Sequence, residues 1–217
     1  MPLKPWQTAK SRLTLDNESR SALAEAFAYD VLDVVAASEC VSQLVVVTTE
    51  PRLVSGYVGE STVVVLPRTN GLNNAVRCGG RWLRLNNRPG PIAVIPGDLP
   101  SLTLPSLDRV FEAASQFDRA HVPDLDGVGT TILTASSPNE LSPSYGPDSA
   151  HMHAIAGSHL MADADIRTRR DVDTLADLFQ ARLLGVGAHS AAAVKHLRLS
   201  TLKRESIRKS MCASSIG

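Results

Sequence analysis

Asp98 follows the apolar run Pro91-Ile-Ala-Val-Ile-Pro96 across a Pro-Gly turn, and Asp171 and Asp173 stand two residues apart in Arg169-Arg-Asp-Val-Asp-Thr, just ahead of a helical pattern. In an extended segment the last two carboxylates project to one side. Hard oxygen ligands so arranged suit magnesium, which takes one or two carboxylates together with phosphate oxygens and water. Each acid also has a plainer reading: Asp98 capping the turn after it, Asp173 capping the helix, Asp171 pairing with Arg169 or Arg170. A third stretch, Lys4-Pro-Trp-Gln-Thr-Ala-Lys10-Ser-Arg12, gathers three cations, either to clamp a triphosphate or to form a solvated charged run.

Two loops add glycine where a ligand could meet the backbone: Asp126-Gly-Val-Gly129-Thr130-Thr131 and Ser144-Tyr-Gly146-Pro-Asp-Ser149. Glycines let main-chain amides close around phosphate, and Ser149 opens a helix whose amino end favours anions. His153, one turn into that helix, reads as a structural or supporting histidine rather than a base. The chain has neither GxxxxGK[ST] nor GxGxxG, and no recognisable Ser/His/Asp or Cys/His set.

The elements that must position these residues follow from periodicity. Leu23, Phe27, Val31, Leu32 and Val35 recur at helical spacing within 21–38. Leu44–Thr48, Thr62–Leu66 and Pro91–Pro96 are short runs, apolar on both faces, that suit strands covered by helices on both sides. Residues 71–84 read as a loop entering a helix, 105–117 as a helix, 120–122 and 130–134 as strands, and 136–147 as a Ser/Pro-rich connection. Helices are predicted over 149–160 and 174–184, the second opened by Thr174 with Asp177 as an acidic capping box. The alternation implies an α/β fold, a mostly parallel sheet flanked by helices. From about Gly185 a Ser/Ala-rich, basic stretch reads as a solvated extension, dividing the chain into a domain over 1–187 and an extension over 188–217.

Composition bounds what remains. With 217 residues and 43% hydrophobic content the chain can bury one substantial core. Lys plus Arg equals Asp plus Glu at 22 each, so no global field draws it to nucleic acid or an anionic membrane, and 4% aromatic content supplies few stacking platforms. Cys40, Cys78 and Cys212 form no CxxC pair, which favours reduced thiols over disulfides or zinc. No signal-like or spanning apolar run is present, and a soluble cytoplasmic protein is expected.

Taken in order, Pro2-Leu-Lys4-Pro with Ala9-Lys-Ser-Arg12-Leu, Gly71-Leu-Asn73, Pro96-Gly-Asp98-Leu-Pro100, Asp126-Gly-Val-Gly-Thr130, Tyr145-Gly-Pro-Asp-Ser149 with His153, and Asp171-Val-Asp173-Thr resemble the 2-phospho-L-lactate or phosphoenolpyruvate guanylyltransferases of deazaflavin coenzyme F-420 biosynthesis. The resemblance runs to about Leu184. It implies a single-domain nucleotidyltransferase fold of the glycosyltransferase-A type that moves GMP from GTP onto a small phosphorylated three-carbon acid. It also implies that Asp98, Asp171 and Asp173 hold magnesium as catalytic groups with Lys10, and that Thr130, Gly146 and Ser149 grip the acceptor. Lys4, Lys10 and Arg12 would face the GTP phosphates, and Gly71 and Asn73 the nucleoside. Such relatives carry apolar residues before the Pro-Leu-Lys segment as a first central strand, most of which falls outside this chain. A related enzyme using CTP or 3-phosphoglycerate, a non-catalytic nucleotide-binding homologue, and a homodimer are the alternatives left open.

Overall fold

The computed structural model describes residues 1–5, 10, 13–57 and 61–197. Helix α1 (Asn17–Ala37) begins one turn earlier than periodicity indicated, because Asp16 caps it by accepting from the Ser19 amide. Strand β1 (Leu44–Val47) pairs in parallel with β2 (Thr62–Val65), with a 3-10 stretch over Pro51–Tyr57 between them. Helix α2 (Leu72–Leu85), strand β3 (Ile92–Val94), helix α3 (Leu104–Ala114) and strands β4 (Arg119–Pro123) and β5 (Thr130–Ala135) follow. The last part comprises α4 (Ser149–Ile155), β6 (His159–Leu160), α5 (Ile166–Arg169) and α6 (Leu175–Leu184).

The sheet is mixed and flanked by helices, as expected, and among the described residues it is in two pieces: β1-β2, and a four-stranded sheet ordered β3-β5-β4-β6. β5 runs antiparallel to both neighbours, and β6 pairs in parallel with β4. The short Gly-rich loop between β4 and β5 closes a hairpin, so adjacent strands must reverse direction. Its Asp124 carboxylate accepts from the amides of Val128 (2.9 Å) and Gly129 (2.7 Å).

Between the two pieces runs Met1–Leu3. Leu3 N–H donates to Val47 O and Val47 N–H to Met1 O, both at 2.9 Å, in a parallel bridge. The Met1 amino group donates to Val45 O at 2.7 Å, and burial lowers its pKa to about 5. Beyond it a cavity of about 550 Å³ is lined by Val45 and Val47 of β1, Val76 and Gly79 of α2, and Ile92 and Val94 of β3.

Three segments differ from the periodic reading. The predicted helix over 149–160 stops at Ile155, because Gly157 takes φ +84° and the amides of Gly157 and Ser158 return to Ala154 O and His153 O in a Schellman ending. That frees His159–Leu160 to form β6. The four-residue α5 carried no period long enough to read. Residues 188–197, expected to be solvated, are helical: Asp30 in α1 accepts from the amides of His189 (2.9 Å) and Ser190 (3.0 Å), and Val194 packs with Leu13, Phe27, Leu178 and Ala181. A buried carboxylate at a helix amino end satisfies orphan donors and meets the helix dipole.

Two buried histidines tie α4 to the hairpin. His153 is fully buried; its Nε2 accepts from the Ser144 amide at 2.9 Å, so Nδ1 carries the proton and donates to Thr130 Oγ1, also 2.9 Å away. His121 Nδ1 meets Ser158 Oγ at 3.1 Å, and the two rings lie 5.7 Å apart. Burial and their mutual repulsion lower the His153 pKa to about 4. Burial followed by the His159 charge lowers that of His121.

Two consequences are testable. Asp30→Ala is expected to cost about 2–3 kcal/mol in urea unfolding by removing a charged acceptor from two amides, and to expose 188–197 to proteolysis. An unchanged midpoint and cleavage pattern would show that the contact is incidental. Because the folded histidines resist a proton that the unfolded chain accepts below pH 6.5, they favour folding less as pH falls from 6.5 toward 4. His153 alone should cost on the order of 1–2 kcal/mol at pH 5 relative to pH 7, after discounting for solvent screening, and His153→Gln should flatten that slope. Parallel slopes in the two proteins would contradict the assignment.

Candidate active site

The turn after β3 is tightly built. Gly97 sits against α1, where an added Cβ would stand 2.6 Å from Leu3 Cδ2 and 3.2 Å from Ala28 Cβ. A Cβ here would press on both neighbours, so glycine lets the turn pack against α1 while it presents Asp98 outside the carboxyl end of β3. Val172 is fully buried, and its amide donates to Asp98 O at 3.0 Å, which lays 171–173 alongside the turn. Arg169 holds the preceding corner by donating to Pro123 O, Asp124 O and Ala162 O, while Thr131 Oγ1 donates to Thr168 O at 2.7 Å. Thr174, not Asp173, caps α6 in a capping box with Asp177. The arginine beside the acids is therefore spent on carbonyls, and neither the cap nor that ion pair accounts for Asp173 and Asp171.

The result is convergence. Ligand atoms of Asp98, Asp171 and Asp173 all lie within 4.8 Å of one another, a group able to hold a metal ion. Lys10, itself at φ +54°, reaches into the group with Nζ 2.7 Å from Asp98 Oδ2 and 2.8 Å from Asp173 Oδ1. Burial works against the Lys10 charge, but Asp98 and Asp173 outweigh it and raise its pKa above the ordinary value. Asp171 is pushed up to about 7, first by burial and then by the Asp98 charge, with Lys10 opposing. The Lys10 ammonium pairs with two of the three carboxylates, and Asp98 Oδ1 is buried with no hydrogen-bond partner. An orphaned buried oxygen in an all-carboxylate donor set fits a hard divalent cation such as magnesium.

The expected acceptor residues form a second group. Thr130 begins β5 and is held by His153; Ser149, buried, opens α4; Gly146 lies between them in sequence at φ +148°. Asp148 precedes α4 in the left-handed region at φ +58°. Tyr145 relates this loop to the acids: burial and then the Asp98 charge raise its hydroxyl pKa, and its ring meets His153 edge-on at 5.1 Å. Of the expected GTP contacts, Lys10 is at the acids, Lys4 is exposed beside the Met1–Leu3 bridge, and Arg12 lies outside the described residues. Gly71 is the amino-terminal cap position of α2 at φ +109°. Asn73 does not point an open amide outward: its Nδ2 donates to Tyr145 O at 2.7 Å and its Oδ1 accepts from Tyr145 N at 2.8 Å. Sequence reading missed Asp124, which closes its own loop on the amides of Val128 and Gly129, and it missed Arg169 and the Asn73 contact because both act on backbone groups distant in the chain.

Known proteins resemble this arrangement. The chain is 39% identical over 204 residues to the phosphoenolpyruvate guanylyltransferase of Streptomyces coelicolor, covering 92% of this chain and 96% of that protein. It is 37% identical over 190 residues to phosphoenolpyruvate guanylyltransferase 2 of Rhodococcus jostii, covering 88% and 86%. In fold it resembles a Desulfovibrio desulfuricans protein assigned to the nucleotide-diphospho-sugar transferases, with a TM-score of 0.67 at 14% identity over 90% of this chain and 92% of that one. It also resembles the 4-diphosphocytidyl-2C-methyl-D-erythritol synthase of Anaerococcus prevotii, with a TM-score of 0.52 at 10% identity over 74% and 84%. A family model described as guanylyl transferase CofC like matches residues 1–214, beyond Leu184 where the motif resemblance ended. By that match and those relatives, the chain belongs to the CofC-like guanylyl transferase family.

Proposed function

We propose that this protein is a cytoplasmic guanylyltransferase that moves GMP from GTP to phosphoenolpyruvate and releases pyrophosphate, a step of coenzyme F-420 biosynthesis. The observation that carries the reading is the convergence of Asp98, Asp171 and Asp173 in a chain whose relatives are named phosphoenolpyruvate guanylyltransferases. Among the described residues no helix is long and apolar enough to cross a membrane, which accords with a soluble enzyme.

The reaction joins two anions. A phosphate oxygen of the acceptor attacks the α-phosphorus of GTP, and the bond to pyrophosphate breaks. The acceptor phosphate has a second pKa of about 6, so the attacking oxygen is ionised at neutral pH and no strong protein base is required. A divalent ion held by the three carboxylates would screen the phosphates and fix the in-line approach. The chain's own groups then have separable tasks. Lys10 brings a buried positive charge to the carboxylates and, with Lys4 and Arg12, supplies cations for the departing pyrophosphate. Thr130 and Ser149 offer hydroxyls, and Gly146 an unobstructed backbone, for the acceptor. His153 keeps a fixed tautomer and so orients the Thr130 hydroxyl.

Incubating the protein with GTP and magnesium plus phosphoenolpyruvate, 2-phospho-L-lactate or 3-phosphoglycerate, in separate reactions analysed by mass, should yield guanylated phosphoenolpyruvate and pyrophosphate. Product from 3-phosphoglycerate alone, or from phosphoenolpyruvate only when CTP replaces GTP in a parallel reaction, would overturn the assignment. Asp98→Asn and Asp171→Asn should each lower kcat by about 10³-fold or more, since each removes a carboxylate from the cation site. Asp171 has a folded pKa of about 7 against 3.8, so its share of stability is present below pH 3.8 and is lost as pH rises through 7. Without magnesium, Asp171→Asn should therefore melt no lower than the parent at pH 8. Near-parental turnover in either folded variant would remove that acid from the mechanism.

A further inference from the structure

One face of α2 is laced to the Ser/Pro-rich connection that leads into the expected acceptor loop. Asn73, Arg77, Gly80 and Arg84 fall at intervals of four, three and four, so they share one stripe of the helix. Arg84 Nη1 donates to Pro138 O at 3.0 Å, and Arg77 Nη2 to Pro143 O at 3.3 Å. At Gly80 an added Cβ would stand 3.1 Å from Leu141 Cδ2, so glycine lets that side chain close on the helix. Asn73 ends the stripe with its two bonds to the Tyr145 amide and carbonyl, at 2.8 and 2.7 Å. Residues 136–147 form no strand or helix here, so their carbonyls need partners from elsewhere, and the side chains of α2 supply them.

The position of the Asn73 bracket matters. Gly146 at φ +148° and Asp148 at φ +58° follow it directly, and α4 then begins with Ser149. Glycine adopts its positive φ freely, but Asp148 in the left-handed region is costly and persists only when its surroundings hold it. Asn73 holds Tyr145 to α2, and His153 of α4 holds the adjoining Ser144 amide and Thr130 Oγ1, each at 2.9 Å. Both polar atoms of the Asn73 side chain are engaged by the Tyr145 backbone.

We propose that Asn73 is a positioning residue for the acceptor acid, fixing the Tyr145–Gly146 backbone against α2 so that Gly146, Ser149 and Thr130 face one bound phosphorylated acid. The proposal rests on the guanylyltransferase reading for the identity of the ligand, whereas the bracket itself can be tested without turnover.

Steady-state kinetics on Asn73→Ala with GTP and phosphoenolpyruvate should show KM for phosphoenolpyruvate raised about tenfold or more, with KM for GTP within about twofold. Asn73→Asp, which keeps an acceptor for the Tyr145 amide, should fall between the two. Arg84→Ala, at the far end of the same stripe, should leave both constants within about twofold. Hydrogen exchange at Tyr145 and Gly146 should be faster in Asn73→Ala than in the parent, while the amides of β4 and β5 stay protected. A rise confined to the KM for GTP would make Asn73 a nucleoside contact and overturn the proposal. Unchanged exchange at Tyr145 would overturn it as well, whereas faster exchange in the variant of a parent inactive on phosphoenolpyruvate would overturn the functional reading and leave the bracket standing.

Discussion

Charge crowding at the end of β3 is the constraint around which this molecule is arranged. The Val172 amide, donating to Asp98 O, pins the segment carrying Asp171 and Asp173 against the turn carrying Asp98. Three carboxylates brought so close repel one another, and the Lys10 ammonium opposes that repulsion. The fold tolerates the arrangement because the backbone bonds of Arg169, Thr131 and Val172 fix the corner independently of the acids. A site that stays strained until a cation arrives is poorly suited to stability and well suited to binding one.

The rest of the architecture supplies two rigid walls beside that point. The β4-β5 hairpin, closed by Asp124, presents Thr130, and His153 locks α4 to it through a defined tautomer. Helix α2 supports the opposite side, giving side-chain donors to a connection that forms no ladder of its own. The Met1–Leu3 bridge lies beside β1 with a cavity next to it, and Leu3 touches the Gly97 turn that leads into Asp98.

Much of this was legible in the chain because it is written in local periodicity. β1, β2, β3 and α3 are apolar runs or stripes, and their limits fall within a few residues of the reading. Asp98 was legible because it follows an apolar run, Asp171 and Asp173 because two acids spaced two apart stand ahead of a helical pattern, and the resemblance to guanylyltransferases joined segments that spacing alone could not. What escaped was short or non-local. β6 has two exposed residues and α5 has four in all, too few to show a period. The helix over 188–197 was hidden by a Ser/Ala-rich, basic composition, although Ser190, Val194 and Leu197 recur at helical spacing and Asp30 waits for its amino end. The Asn73 bond to Tyr145 O escaped because no sequence pattern announces a side-chain bond to a backbone 72 residues away.

The most direct test of the shared cation site is a crystal structure of the protein grown with manganese and a non-hydrolysable GTP analogue, read by anomalous scattering. One strong peak within about 2.0–2.4 Å of oxygens from Asp98, Asp171 and Asp173, with Lys10 displaced toward the phosphates, is the outcome this account requires. A nucleotide bound with no metal among those three acids, or with the ion held by other residues, would contradict it.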